Sequence, residues 1–509
     1  MTVFAQVWGE TTFGLEGVPV RVEVDLSSGL PAFDLVGLAD TAVRESRERV
    51  RAAIRNTGLH FPGERLTINL APADVKKDGA GLDLPVAIGI LSAMGELALP
   101  EDIGNAVFIG ELSLDGLIRP VSGVLPMVAS AAKQGFKRVF VPLQNSPEAN
   151  LVPGMECIPC RDLAHAVKQL TEGVEPRPIE GEAPELLTNG NLEEDFADVA
   201  GQQLARRAIE VAAAGGHNFL MVGSPGSGKT MLARRIPSIL PPLLPEEALD
   251  VTTIYSVAGL LPNNAGLISK RPFRAPHHTI SAGGMVGGGQ QPKPGEVTLS
   301  HHGVLFLDEM PEFSRTALEV LRQPLEDGEV RITRVKATTC YPASFILIGA
   351  MNPCPCGFYG DADSLHPCSC SESNIARYRA KLSGPLLDRF DLKIHVPRIQ
   401  YDELRNKELG ESSTAIRERV LAARERQLFR FEKSITNAQM SRKMMRHSCQ
   451  LNATGEKLLK QVFEQLHLSA RSHDRILKVA RTIADLDGSE WVEADHLAEA
   501  IQMRTDWTE

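Results

Sequence analysis

The segment Gly223-Ser224-Pro225-Gly226-Ser227-Gly228-Lys229-Thr230 constrains this chain more than any other. It fits a phosphate-binding loop at every fixed position, follows the apolar run Phe219-Leu220-Met221-Val222 and opens the helix-like Met231-Leu232-Ala233-Arg234-Arg235. After it, short apolar strands alternate with helical patterns, which predicts a mostly parallel α/β sheet. The glycines let consecutive backbone N–H groups turn inward around a β-phosphate at the positive end of the helix. Lys229 is then placed to reach β- and γ-phosphate oxygens, and the Thr230 hydroxyl to ligate Mg²⁺.

Two further strand ends carry matching chemistry. Gly303-Val304-Leu305-Phe306-Leu307 runs into Asp308 and Glu309. Asp308 would hold Mg²⁺ through water, and Glu309 would orient and polarise the attacking water. Phe345-to-Met351 runs into Asn352, which either touches the γ-phosphate and lytic water or is an ordinary turn residue before Pro353. Arg389, in Gly384-Pro385-Leu386-Leu387-Asp388-Arg389-Phe390, and Arg471, in Leu468-Ser469-Ala470-Arg471, read bare as surface arginines that pair with carboxylates. An arginine finger would instead stabilise transition-state charge on a neighbour's nucleotide.

Composition narrows the class. The chain has 509 residues, 43% hydrophobic and 23% charged, which excludes disordered and fibrous proteins. The longest apolar run, Leu84 to Met94, is too short for a bilayer and is interrupted by Pro85 and Gly89. No secretion pattern opens the chain, and eight cysteines are few for this length, so we expect a cytoplasmic protein without membrane contact. A net charge of −10 means that any nucleic-acid contact must come from local patches. Residues 172–195 hold eight acidic side chains against the single basic Arg177, with Pro176, Pro178 and Pro184, and read as a linker. They separate an α+β unit, 1–171, from an ATPase core, 196–400, and a helical C-terminal segment, 401–509. In the first unit Val3–Trp8 and Val18–Val24 read as strands, Thr41–Thr57 as an amphipathic helix and Val139–Pro142 as a buried strand.

These segments, together with Asp195-Phe196-Ala197-Asp198-Val199-Ala200-Gly201-Gln202, Phe273-Arg274-Ala275-Pro276-His277-His278 and Asn352-Pro353-Cys354-Pro355-Cys356-Gly357, resemble AAA+ ATPases of the magnesium-chelatase and MCM-helicase branch. The likeness is greatest to the ComM/YifB family of magnesium-chelatase-like proteins and extends over essentially the whole chain. It implies an AAA+ core with a C-terminal helical lid, ATP and Mg²⁺ as ligands, Asn352 as sensor 1, Arg389 as a finger acting in trans and Arg471 as sensor 2. It also implies a homo-hexamer with nucleotide between subunits.

The branch carries two pore insertions. Residues 274–297, with six glycines and the His277-His278 pair, resemble one of them; Gly328-to-Ala337 alternates like a hairpin strand and resembles the other. In a ring, Arg331, Arg334 and Lys336 would form a stacked basic surface that tracks a phosphate backbone. A solvated edge strand beside Glu326, Asp327 and Glu329 is the competing reading. Residues 417–446 carry nine Lys/Arg against three Glu, with Phe429 and Phe431 between them, and read as a charged helix face rather than a second DNA surface. Cys354-x-Cys356 and Cys368-x-Cys370 offer the four thiolates that a tetrahedral structural Zn²⁺ needs, with reduced bystander thiols as the alternative. Cys157 and Cys160 lack such partners and read as structural.

The N-terminal unit resembles the Lon protease domain through Val75-to-Asp83 and Ile118-to-Leu125. That chemistry needs a serine and a lysine. Laid over the pattern, the serine position falls on Gly81 and the lysine position on Leu125; Lys77 and Ser122 are near but not in place. A Lon-like fold without proteolysis is therefore expected. The ComM/YifB-family resemblance implies an ATP-driven hexameric motor on single-stranded and branched DNA, with helicase or branch-migration action during homologous recombination of DNA taken up by natural transformation. A magnesium-chelatase-like motor subunit and an ATP-driven protein remodeller are the alternatives.

Overall fold

Period-two burial sets the first sheet. In a computed structural model, the described residues are 4–37, 41–73, 77, 79–97, 101–172, 194–262, 266–289, 293–334, 337–360, 367–399, 410–465 and 469–504. Strand Phe4–Phe13 pairs antiparallel with Glu16–Ser27 along its whole length, from Phe4 opposite Asp25 to Phe13 opposite Glu16. Both strands outrun the predicted segments because the two-residue turn Gly14-Leu15 lets pairing continue to its edge. The seven-stranded sheet continues through Arg65–Ala71 to Ala32–Val36 on one side, and through Ala106–Phe108, Arg138–Pro142 and Glu156–Cys160 on the other. Helices Thr41–Asn56, Asp83–Ala93 and Val124–Lys133 accompany it.

The second sheet has five strands, all parallel, in the order Phe273–Arg274, Val304–Leu307, Ile346–Met351, Phe219–Val222 and Leu392–His395. Alternate residues of Phe219–Val222 enter different cores: Phe219 and Met221 pack in one, Leu220 and Val222 in the other. A strand apolar on both faces requires helices on both sides. Helix Gln203–Gly215 covers one face, and its core is continuous with the C-terminal lid, helices Ser413–Phe431, Arg442–Ser448, Ala453–Gln465, Ala470–Leu486 and Ala494–Gln502. The expected AAA+ architecture with a helical lid and a separate α+β unit is thus present. Of the predicted linker, residues 173–193 lie outside the described residues, as does the 400/401 boundary. Among the described residues no helix is long and apolar enough to cross a membrane.

A buried polar chain ties sheet to lid. His217 Nδ1 contacts Asp391 Oδ2 at 3.2 Å, and His217 Nε2 contacts Thr482 Oγ1 at 2.7 Å. Asn437 Nδ2 donates to Thr482 Oγ1 at 3.1 Å and to Asp485 Oδ2 at 2.7 Å. Asp485 also pairs with Arg430 and with Arg481, the latter at 3.0 Å. Burial alone would raise the Asp391 carboxyl, but the His217 bond and the Arg475 and Arg504 guanidiniums outweigh it and hold it at about 2. Because the folded value lies below the ordinary 3.8, this stabilisation is complete above that value and lost as pH falls toward 2. Some arginines of the charged segment 417–446 bind within the protein: Arg419 pairs with Glu210 and Glu411, Arg424 donates to the Ala213 carbonyl, and Arg426 donates to the Asp485 carbonyl, whereas Arg442 and Arg446 are exposed. Phe429 of the same segment is 89% exposed.

Among the described residues, the N-terminal unit meets the ATPase unit at the following two points. The Gly123 N–H donates to the Ser256 carbonyl at 2.9 Å, and the Ser256 hydroxyl to Glu148 Oε2 at 2.6 Å. Burial raises the Glu148 carboxyl, against the Ser256, Asn145 and Leu125 bonds that lower it. At the second point Leu15 packs into the ATPase core that holds Val330 and Tyr341. We expect Asp485→Ala to lower stability by about 3–5 kcal/mol, because it strands the buried Arg481 without its countercharge. Scanning calorimetry should show the ATPase–lid transition moving down while the N-terminal transition stays; an unmoved profile would mean that the network does not stabilise the lid.

Candidate nucleotide-binding site

The phosphate-binding loop is held by backbone geometry that only glycine adopts freely. Gly226 and Gly228 have φ of +79° and +91°, and helix Lys229–Ile239 starts at once after them. A Cβ at Gly226 would meet nothing within 4 Å, so the loop's outer face is open. The Lys229 ammonium donates to the Gly223 and Ser224 carbonyls at 2.8 and 2.9 Å and approaches Asn352 Oδ1 at 3.3 Å. Burial pushes it down to about 8, opposed by the Asp308 and Glu309 carboxylates. The Thr230 hydroxyl donates to Asp308 Oδ2 at 2.7 Å, and Asp308 Oδ1 accepts the Glu309 N–H at 2.9 Å. A hydroxyl and a carboxylate sharing one short contact beside an open phosphate cradle are a donor set that fits Mg²⁺.

Glu309 stands exposed in the left-handed region, φ 50° and ψ 46°, a conformation costing a non-glycine residue about 1–2 kcal/mol. The strand thus stops at Leu307, two residues before the sequence's strand-to-carboxylate run ends. Asp308, Glu309, Asn352, Lys229 and Thr230 therefore gather at adjacent carboxyl strand ends. Arg389 does not join them. It is buried and pairs with Glu326 of its own chain, while its carbonyl accepts from Asn218 Nδ2 at 3.0 Å. Arg471 is exposed in the first turn of Ala470–Leu486.

Sequence reasoning assigned no role to Gln202. It adopts φ 54° and donates from Nε2 to the Pro397 carbonyl at 2.7 Å and the Ser227 carbonyl at 3.3 Å, bracing the loop from behind. The Gly201-Gln202 pair was the available signal, since a turn glycine before a helix marks a special backbone. The Asp391–His217 contact was also missed. Its partners lie 174 positions apart and no local pattern joins them.

Strand Glu329–Arg334 pairs with Ala337–Pro342 as a hairpin. Arg331 is exposed and binds Glu329 through Nε at 2.6 Å, so its charge is partly met within the hairpin. The Arg334 side chain and Lys336 lie outside the described residues. The other insertion folds as helix Ala282–Val286 followed by a small ladder, Gly287–Gly288 with Lys293–Pro294, and a Cβ on Gly287 would come within 3.3 Å of Ile332. The two insertions pack together.

All four sulfurs of Cys354, Cys356, Cys368 and Cys370 lie within 4.8 Å of one another. In contrast Cys160 is buried and Cys157 half-buried on their strand, and burial pushes the Cys157 thiol up to about 12. In the N-terminal unit Leu125 is buried, with its N–H on Glu148 Oε2 at 3.2 Å, and Lys77 is buried against the Pro72 carbonyl. Ser122 is exposed. These residues form no serine–lysine pair.

Three family models match the chain: "Magnesium chelatase, subunit ChlI" over residues 195–404, "Subunit ChlI of Mg-chelatase" over 22–145, and "Magnesium chelatase, subunit ChlI C-terminal" over 410–504. The chain is 43% identical to the competence protein ComM of Haemophilus influenzae, covering 98% of this chain and 97% of that protein. It is 42% identical to YifB of Escherichia coli, covering 96% and 95%. Lon protease 2 of Bacillus subtilis matches at 25% identity over 28% of this chain and 26% of its own, in the N-terminal part. With whole-length identity to both proteins and the site geometry above, the chain belongs to the ComM/YifB family of magnesium-chelatase-like AAA+ proteins.

Proposed function

We propose that this protein is an ATP-driven hexameric motor that moves on single-stranded and branched DNA, as a helicase or branch-migration enzyme in recombination of DNA taken up by natural transformation. The observation that carries the ATPase part is the meeting of Lys229, Thr230, Asp308, Glu309 and Asn352 at three adjacent strand ends. The DNA part is supported by the exposed Arg331 hairpin packed on the glycine-rich insertion, and by a relative whose name is competence protein. In this reading residues 1–171 form an inactive Lon-like unit, 172–195 a linker, 196–400 the ATPase core and 401–509 the lid. The motor works in the cytoplasm.

The loop Gly223, Ser224, Pro225, Gly226, Ser227 and Gly228 would cradle the phosphates with its N–H groups. Thr230 and Asp308 would hold Mg²⁺, which supplies positive charge against the phosphate oxygens. Lys229, still largely protonated at neutral pH with a value of about 8, neutralises the same oxygens. Glu309 polarises the attacking water and Asn352 orients it. Arg389 would leave Glu326 to serve a neighbouring subunit's nucleotide, and Arg471 would report on it from the lid. Arg331, Arg334 and Lys336 would grip the DNA backbone, and the four-cysteine loop would carry a structural Zn²⁺. A magnesium-chelatase-type motor subunit is the second reading, favoured by the descriptions of the matching family models.

The deciding experiment is ATP-dependent movement of a branched DNA junction by purified protein, beside Lys229→Ala, at low and moderate salt. Movement lost in the variant supports the motor; hydrolysis without any DNA effect turns the reading toward the chelatase type. Lys229→Ala should abolish phosphate release, and retained turnover would remove the loop assignment. Glu309→Gln should still bind ATP but hydrolyse it about 10²–10⁴-fold more slowly, in the range of a lost general base. Finally, inactive Arg389→Ala chains mixed with inactive Glu309→Gln chains should regain activity if the finger acts in trans; no rescue at any ratio argues for sites completed within one chain.

A further inference from the structure

The four-cysteine loop lies against the phosphate-binding loop. Cys354 Sγ is 3.3 Å from Cys356 Sγ and 3.7 Å from Cys368 Sγ, and the latter two are 3.5 Å apart. Disulfide sulfurs sit about 2.05 Å apart, and a sulfur bonds only one partner that way. Three mutual separations of nearly equal length, with Cys370 completing the group, instead match the edges of a tetrahedron, about 3.8 Å for Zn–S bonds of about 2.3 Å. The Gly357 N–H donates to Cys354 Sγ at 3.2 Å, the kind of amide contact that steadies a metal-bound thiolate.

The same turn touches the nucleotide site twice. Gly357 has φ +91°, and a Cβ there would lie 2.5 Å from Cδ and 2.7 Å from Cγ of Pro225, the third residue of the phosphate-binding loop. Only a residue without a side chain lets this turn lie so close to the Pro225 ring. Two residues before Cys354 stands Asn352, whose Oδ1 faces the Lys229 ammonium at 3.3 Å. The sequence of the loop is rich in Gly, Asp and Ser, a composition that gains order from a bound metal.

We propose that Cys354, Cys356, Cys368 and Cys370 hold a Zn²⁺ that presses the Gly357 turn against Pro225 and fixes Asn352 beside Lys229, so that zinc occupancy sets how well the site binds and turns over ATP. The proposal rests on the ATPase reading. The metal takes no part in the chemistry; it positions the two loops that do. Loss of the ion by chelation then lowers ATP use by loosening Pro225 and Asn352, without removing any group that contacts the nucleotide.

The test uses the full chain purified without chelator, with zinc content by elemental analysis, affinity for a fluorescent ATP analogue, and ATP turnover. Wild type should carry one zinc per chain. Cys354→Ser/Cys368→Ser should lose the zinc, bind the analogue more weakly and turn over about a hundredfold more slowly, the scale of a small misplacement in an active site. Because that variant can fail to fold, Gly357→Ala is the second arm: it should keep its zinc yet show weakened analogue binding and slowed turnover. Absence of zinc from wild type overturns the proposal. So does a zinc-free or Gly357→Ala chain that binds the analogue and turns over as wild type does. Zinc content and analogue affinity are read independently of hydrolysis. A wild type that holds zinc and binds the analogue but does not hydrolyse ATP therefore counts against the ATPase reading, while the brace is judged on the affinities of the variants.

Discussion

The hydrogen-bond register of three parallel strands is the constraint on which the site depends. Val222 lies opposite Met351, and Leu307 lies opposite Gly349. The strands therefore end almost level, and their next residues are the phosphate-binding loop, Asn352 and Asp308. A shift of one residue would turn each strand's side chains to the other face. Such a slip is costly here because both faces of Phe219–Val222 are buried in separate cores. The apolar packing on either side thus fixes where the Thr230–Asp308 and Lys229–Asn352 contacts form.

Much of this was legible in the sequence, for a local reason. The phosphate-binding loop, the strand before it and the start of the helix after it are encoded in the consecutive run Phe219 to Arg235, and the Asp308–Glu309 and Asn352 strand ends are equally local. Each needs only apolar runs and turn glycines to be seen. Glu326 as the partner of Arg389, the carbonyls that Gln202 braces and the Asp391–His217–Thr482 chain were not legible, because the partners come from distant segments and no spacing links them. The arginine-rich stretch 417–446 shows the same limit. Its composition suits either a polyanion or internal ion pairs, and the sequence does not reveal that Glu210, Glu411 and Asp485 stand where Arg419 and Arg430 can pair with them.

The lid network also explains how a chain with many buried charges remains coherent. Asp391 follows Arg389 by two residues and anchors the start of the Leu392–His395 strand to helix Ala470–Leu486 through His217 and Thr482. Isolated burial would leave such a carboxylate protonated. Surrounded by His217, Arg475 and Arg504, it stays charged and so keeps the guanidiniums around it compensated. Arg389 is thus mounted between a carboxylate on the ATPase surface, Glu326, and a strand fastened to the lid.

Leu15 limits how the two halves can be separated. It sits at the tip of the first hairpin, near the chain's beginning, yet it packs against a core built from the ATPase unit, Val330 and Tyr341 among its residues. Severing the chain between the units would leave a dent lined by oily side chains at the root of the arginine-bearing hairpin, and an unsheltered leucine on the other piece. The first hairpin acts as a plug, and the N-terminal unit travels with the hairpin whose base it seals.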